Sequence, residues 1–182
     1  MTRLLKYGEE NEIIVKVDNS ERPDVIPVNN VLFGVYGGIY RDVSLIVTDK
    51  INIAVDDYAS PGIYISQENI SKKSADINIK VKVDNKTGAK QDIKLLSTIY
   101  EMDGKTIKTK KETPYTLPIQ GRQFINQSLK VVNPHLWQGL EDPYLYKVVT
   151  QIISAGVVID EVVQPLGVRH FELKSHEGMF LN

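Results

Sequence analysis

The 182-residue chain contains no cysteine. Thiol nucleophiles, disulfide staples and Cys-ligated metals are therefore excluded, while the compartment stays open. Histidine is scarce: His135, His170 and His176 are the only three, and they show no HExxH or other ligand spacing, so no metal site is expected from them. No apolar run approaches the ~20 residues of a membrane span. The opening MTRLLKYGEENE has no apolar core of a secretory leader. A net charge of −1, with both signs interspersed, gives no electrostatic reason to expect nucleic acid as a partner. Capped helical periodicity is missing throughout. Gly34, Gly37 and Gly38 accordingly make no phosphate loop, since no helix follows them to supply a dipole.

What the sequence does contain is alternation. Residues 76–84 read DINIKVKVD, which puts Ile77, Ile79, Val81 and Val83 on one face and Asn78, Lys80 and Lys82 on the other. Period two over that length predicts an antiparallel strand with one wet face. The same pattern predicts strands at 12–18, 40–47, 92–100, 105–112, 123–132, 144–153, 157–163 and 168–173, with shorter pieces at 51–55 and 63–65. Asp103-Gly104 is a strong hairpin signal, and Ser154-Ala155-Gly156 predicts another tight turn. Lys105, Lys108, Lys110 and Lys111 mark 105–112 as an edge strand, because lysines keep an edge from pairing with other chains. Pro165 and Gly167 are expected to end the strand that begins at Val157.

The fold class is therefore all-β, an immunoglobulin-like antiparallel sandwich. A compact chain of this length buries roughly 70% of the surface its unfolded form exposes, so a core does not need staples. The sandwich is organised around residues 133–149, NPHLWQGLEDPYLYKVV, which hold the single tryptophan, Trp137, and two corner tyrosines. Tyr144 or Tyr146 is positioned to bond back across the corner, as a tyrosine does in immunoglobulin domains. Trp137 reads as a buried corner residue more readily than as a sugar-stacking platform. The acidic pairs Glu9-Glu10, Asp56-Asp57 and Glu141-Asp142 read as solvated loop residues. Two strands make no stable sheet alone, so the opening region reads as the end of something larger.

Three stretches, GGIYRDVSL at 37–45, NPHLWQGLEDPYLYKV at 133–148 and GVRHFEL at 167–173 followed by GMFLN at 178–182, resemble family-two glycoside hydrolases in order and spacing. The likeness is closest to the β-galactosidase branch; β-glucuronidase and β-mannosidase are its rivals. The resemblance implies three parts. Residues 1–50 would be the end of a sugar-binding jelly roll, 51–173 the immunoglobulin-like domain, and 174–182 a linker toward a catalytic barrel in the same polypeptide. It also implies that Asp42 contacts the sugar and, in some members, a sodium ion, with any monovalent or divalent cation belonging to the longer enzyme and no cofactor to this stretch. Arg41 would pack structurally.

Retaining hydrolysis needs two carboxylates about 5 Å apart, and in the family both lie on barrel strands. The chain is thus expected to be a non-catalytic scaffold of an enzyme acting on terminal β-D-galactosides, carbohydrate being the longer protein's ligand and its location periplasmic, secreted or cytoplasmic. A homodimer through the strands at 12–18 and 40–47 is also expected. The reading of another class is a free-standing carbohydrate-binding or adhesion module using Trp137 or Tyr40.

Overall fold

The computed structural model describes residues 4–20, 24 and 37–182, and the chain divides into two compact units, Met1–Ile46 and Val47–Asn182. The second unit is built from ten strands: β1 (Ile51–Ile53), β2 (Ile63–Glu68), β3 (Ser74–Asn85), β4 (Gln91–Tyr100), β5 (Ile107–Leu117), β6 (Gly121–Val132), β7 (Tyr146–Ser154), β8 (Val157–Leu166), β9 (Phe171–Lys174) and β10 (Gly178–Leu181). All ladders between them are antiparallel. In the first sheet β3 is central: β6 pairs along one edge, and β2 and β1 share the other. The second sheet runs β5-β4-β7-β8, and β9 with β10 forms a separate hairpin.

Alternation puts one face of each sheet into a common core. Ile77, Ile79, Val81 and Val83 of β3 and Ile125, Leu129 and Val131 of β6 meet Ile93, Leu95 and Ile99 of β4 and Tyr146, Val148 and Ile152 of β7. The expected immunoglobulin-like sandwich is what forms. The lysine-rich strand is an edge, as β5 ends its sheet. Its turn is set by Asp103, whose carboxylate accepts from the Lys105 and Thr106 N–H groups at 2.8 Å each. The β7–β8 hairpin closes through Ala155 and Gly156, both at positive φ (49° and 81°), the backbone a two-residue primed turn requires.

Several expectations fail, each for a physical reason. The strands predicted at 12–18 and 40–47 do not form; the described residues of 4–20 and 37–46 carry no ladder. Alternation supplies an amphipathic face, but a strand also needs a hydrogen-bonding neighbour. Pro165 does not end its strand: β8 runs to Leu166, with Pro165 opposite Lys147. An edge strand tolerates this because its outward N–H needs no partner. The strand expected at 168–173 is displaced to β9, Val168 making only an isolated bridge to Leu136. Residues 178–181, expected within a linker, are the hairpin strand β10.

Polar side chains are also buried between the sheets. Gln127 of β6 is 2% exposed, and the two hydrogens of its Nε2 face three acceptors across the gap, Leu95 O at 3.0 Å, Lys111 O at 3.2 Å and Thr113 Oγ1 at 2.9 Å. Nearby, Ser97 Oγ and Thr150 Oγ1 lie 3.3 Å apart in the same interior. Truncation at Gln127 combines a cavity with lost hydrogen bonds. Urea unfolding should therefore show Gln127→Ala destabilised by about 2–3 kcal/mol. Gln127→Met, which refills the volume, should stay within about 1 kcal/mol of the parent chain. Equal losses in the two variants would assign the effect to polarity alone.

Candidate functional site

The crossover from β6 to β7 carries residues 133–145 from one sheet to the other. Asn133 turns the chain at φ 47°. Tyr146, at the start of β7, is 1% exposed, and its Oη accepts the His135 N–H at 2.7 Å. Of the two corner tyrosines, Tyr146 thus makes the back-bond. Burial raises the pKa of its hydroxyl above the usual phenol range, which keeps it neutral. Tyr144 faces the other way. It donates to Glu101 Oε2 at 2.6 Å and accepts from the Met102 N–H at 3.1 Å, tying the corner to the β4–β5 turn. The two rings meet edge to face with centroids 5.1 Å apart, a favourable aromatic geometry.

The histidines carry more than their spacing suggests. His135 stacks on Tyr144, centroids 4.0 Å apart and planes 6° from parallel. Its Nε2–H donates to the Asp142 carboxylate at 2.6 Å, so Asp142 is not simply solvated.

Trp137 is half-buried rather than buried. Its backbone N–H donates to Val168 O at 2.9 Å, and the Arg169 guanidinium lies 5.2 Å from its ring and 5.6 Å from that of Phe171. This is a cation between two aromatic faces. Gly167 permits the approach, since a Cβ there would sit 3.2 Å from Trp137 Cβ and Cγ. Asn182 completes the cluster, donating to Trp137 O and accepting the His170 N–H, each at 2.9 Å. Gln67 joins the cluster, donating to Gly167 O and accepting the Arg169 N–H at 3.2 Å each; the GVRHF and FLN phrases are the only sequence signal for Arg169 and Asn182, and Gln67 has none.

Two other polar clusters correct the reading of Asp56-Asp57. Asp57 is 3% exposed. It accepts from Lys82 Nζ at 2.6 Å, from the Tyr64 hydroxyl and from Ser60 Oγ at 3.1 Å. These bonds, Lys82 first and Tyr64 next, lower its pKa from 3.8 to about 2. Asp56 bonds the Arg122 guanidinium, which also engages buried Asp84 through Nε and, at 2.7 Å, through Nη2. The hydrogen bond from Arg122 holds Asp84 below the usual carboxylate range, and that of Arg122 is raised by the same contact.

Asp42 lies exposed in the first unit, with Arg41 5.4 Å from the Tyr40 ring. Among the described residues no three His, Asp or Glu side chains gather into a metal-holding set. Asp42 on its own does not meet the several-oxygen requirement of a hard cation.

Residues 60–169 match the family profile Glycosyl hydrolases family 2. A β-glucuronidase of Bacteroides fragilis is 39% identical over all of this chain and 26% of its own length. A β-galactosidase of Bacteroides ovatus is 27% identical, again over all of this chain and 20% of its own. Among solved structures, a candidate β-galactosidase from Bacteroides fragilis superposes with a TM-score of 0.86 at 55% identity, covering 91% of this chain and 24% of that one. The chain belongs to glycosyl hydrolase family 2. It spans between a fifth and about a quarter of the length of these relatives.

The sign of the Asp57 effect fixes a pH test. Because its folded pKa is depressed, its contribution to stability is complete above 3.8 and is lost as pH falls through about 2. In acid titrations followed by circular dichroism, Asp57→Asn should be less stable than the parent chain above that window, with the gap closing inside it. A gap that is independent of pH would show that Asp57 is not held by charge.

Proposed function

We propose that this chain is a non-catalytic β-sandwich of a longer β-glycosidase, one that hydrolyses terminal non-reducing β-D-galactosides, and that it acts as the scaffold against which the catalytic body is held. The observation that carries the reading is that the chain matches only a fifth to about a quarter of the length of its relatives, and the state of its carboxylates agrees with it. A retaining glycosidase pairs a carboxylate nucleophile with a general acid whose pKa is raised. Among the described residues every carboxyl group displaced from its usual range is displaced downward: Asp18, Asp57, Asp76, Asp84 and Asp103, each by hydrogen bonds that favour the anion. These groups are poor proton donors near neutrality.

The scaffold role draws support from the β9–β10 hairpin. Phe171, Leu173 and Met179 occupy one face of it and are 47%, 81% and 68% exposed. Two strands with an open apolar face are marginal alone, and such a patch suits a partner surface. The adjoining catalytic domain of the same polypeptide is the partner proposed. In the family, Asp42 would then approach the sugar from the preceding unit. The relative at 39% identity is a β-glucuronidase, so β-D-glucuronides are the second reading of the substrate.

The test compares this chain with the longer protein on chromogenic β-D-galactoside and β-D-glucuronide. This chain should turn over neither, whereas the longer protein should hydrolyse the galactoside. In the longer protein, Leu173→Asp should lower activity and thermal stability together. Turnover by the 182-residue chain would overturn the non-catalytic reading, and a longer protein selective for the glucuronide would move the substrate to the second.

A further inference from the structure

The outward face of the β2–β3–β6 sheet has no role in the reading above. Strand register arranges it in rows: Lys82 beside Phe124, then Tyr64, Lys80 and Asn126, then Ser66, Asn78 and Ser128. The last two rows line an open depression of about 370 Å³. Asn126 makes no side-chain hydrogen bond among the described residues, and Ser128 Oγ donates to Asn78 Oδ1 at 2.7 Å, leaving the Asn78 NH₂ outward. Tyr64 and Phe124 are 46% and 45% exposed.

Two features make this more than an ordinary wet face. Tyr64 is fixed, because its hydroxyl donates to buried Asp57, the same carboxylate that holds Lys82. The ring is thereby ordered before anything binds, which removes part of the entropic cost of association. Lys80 Nζ lies 4.2 Å from the Phe124 ring and has no carboxylate within ion-pair distance among the described residues. It places an uncompensated cation at the rim of the depression. At the far end of the face Lys130 is matched to Asp76 at 3.5 Å, and Glu68 adds a negative charge.

We propose that this face binds a saccharide chain carrying a carboxylate, with Tyr64 under a pyranose ring, the Asn78, Asn126 and Ser66 side chains on its hydroxyls, and Lys80 on the acidic group. The chemistry selects this occupant over others. An added peptide strand would pair along a free edge of the sheet, here that of β2 or β6, and would not cover its outward face. A nucleic acid needs many cations, and this face offers one uncompensated. Sugar hydroxyls both donate and accept, as side-chain amides and hydroxyls do, while aromatic faces take the apolar side of the ring. This site is independent of the catalytic reading.

The test is calorimetric titration of the 182-residue chain with tetrasaccharides of galacturonic acid and of glucuronic acid, and with neutral maltotetraose, read in parallel by amide NMR shifts. Saturable binding of a uronate is expected, with shifts confined to the central residues of β2, β3 and β6 and the neutral sugar at least about tenfold weaker. Lys80→Gln, an exposed change that leaves the core intact, should weaken uronate binding about tenfold and leave neutral binding unchanged. Tyr64→Ala should weaken both, and Tyr64→Phe, which keeps the ring but frees it from Asp57, should weaken both to a smaller degree. No saturable uronate binding, binding indifferent to Lys80→Gln in a folded variant, or shifts centred on Trp137 would each overturn the proposal.

Discussion

The hydrogen bond from the His135 N–H to the buried Tyr146 hydroxyl is the constraint from which the rest of the sandwich follows. β6 belongs to one sheet and β7 to the other, so the chain must cross the layer between them. A crossing strands backbone donors away from both ladders, and a buried unpaired N–H costs about 1–3 kcal/mol. Tyr146 removes that cost while filling the core beside Val148 and Ile152. Once the crossing is fixed, Trp137 is delivered to Val168 and Arg169, and Asn182 closes over it.

The buried carboxylates follow the same logic: each meets partners that the sheets already place nearby. Asp57 gathers Lys82, Tyr64 and Ser60, and Asp84 with Asp56 clamps Arg122. Ion pairs of this kind contribute little when exposed. Here the carboxylates of Asp57 and Asp84 are buried, so their main effect is to fix where neighbouring side chains point. Around Asp57 the beneficiary is an aromatic ring on the outer face of the first sheet.

Legibility in the sequence divided along physical lines. Strands whose alternation ran eight residues or more, such as β3 and β6, were readable because one face has a single place to go. The Asp103-Gly104 and Ala155-Gly156 turns were readable because few residues tolerate that backbone. Residues 12–18 alternate just as cleanly yet form no strand, since pairing is not encoded in one segment alone. The continuation of β8 through Pro165 depended on its being an edge, a property of the assembled sheet. Burial of Asp57 was invisible because its partners, Lys82 above all, lie on other elements. For the candidate site, residues 133–149 located the corner and its tyrosines and the GVRHF phrase held Arg169, while the His135–Asp142 bond and the Tyr64 platform emerged only from tertiary placement.

A family whose chemistry depends on paired carboxylates has here a body in which shifted carboxylates are held as anions and bound to cations or amides. The architecture serves positioning, and positioning depends on the corner. The most direct measurement is urea unfolding of Tyr146→Phe, monitored by Trp137 emission. The account predicts a loss of about 1–2 kcal/mol with an unchanged denaturant slope, together with a shifted native emission from the released corner. A variant as stable as the parent chain, with its tryptophan emission unmoved, would contradict it.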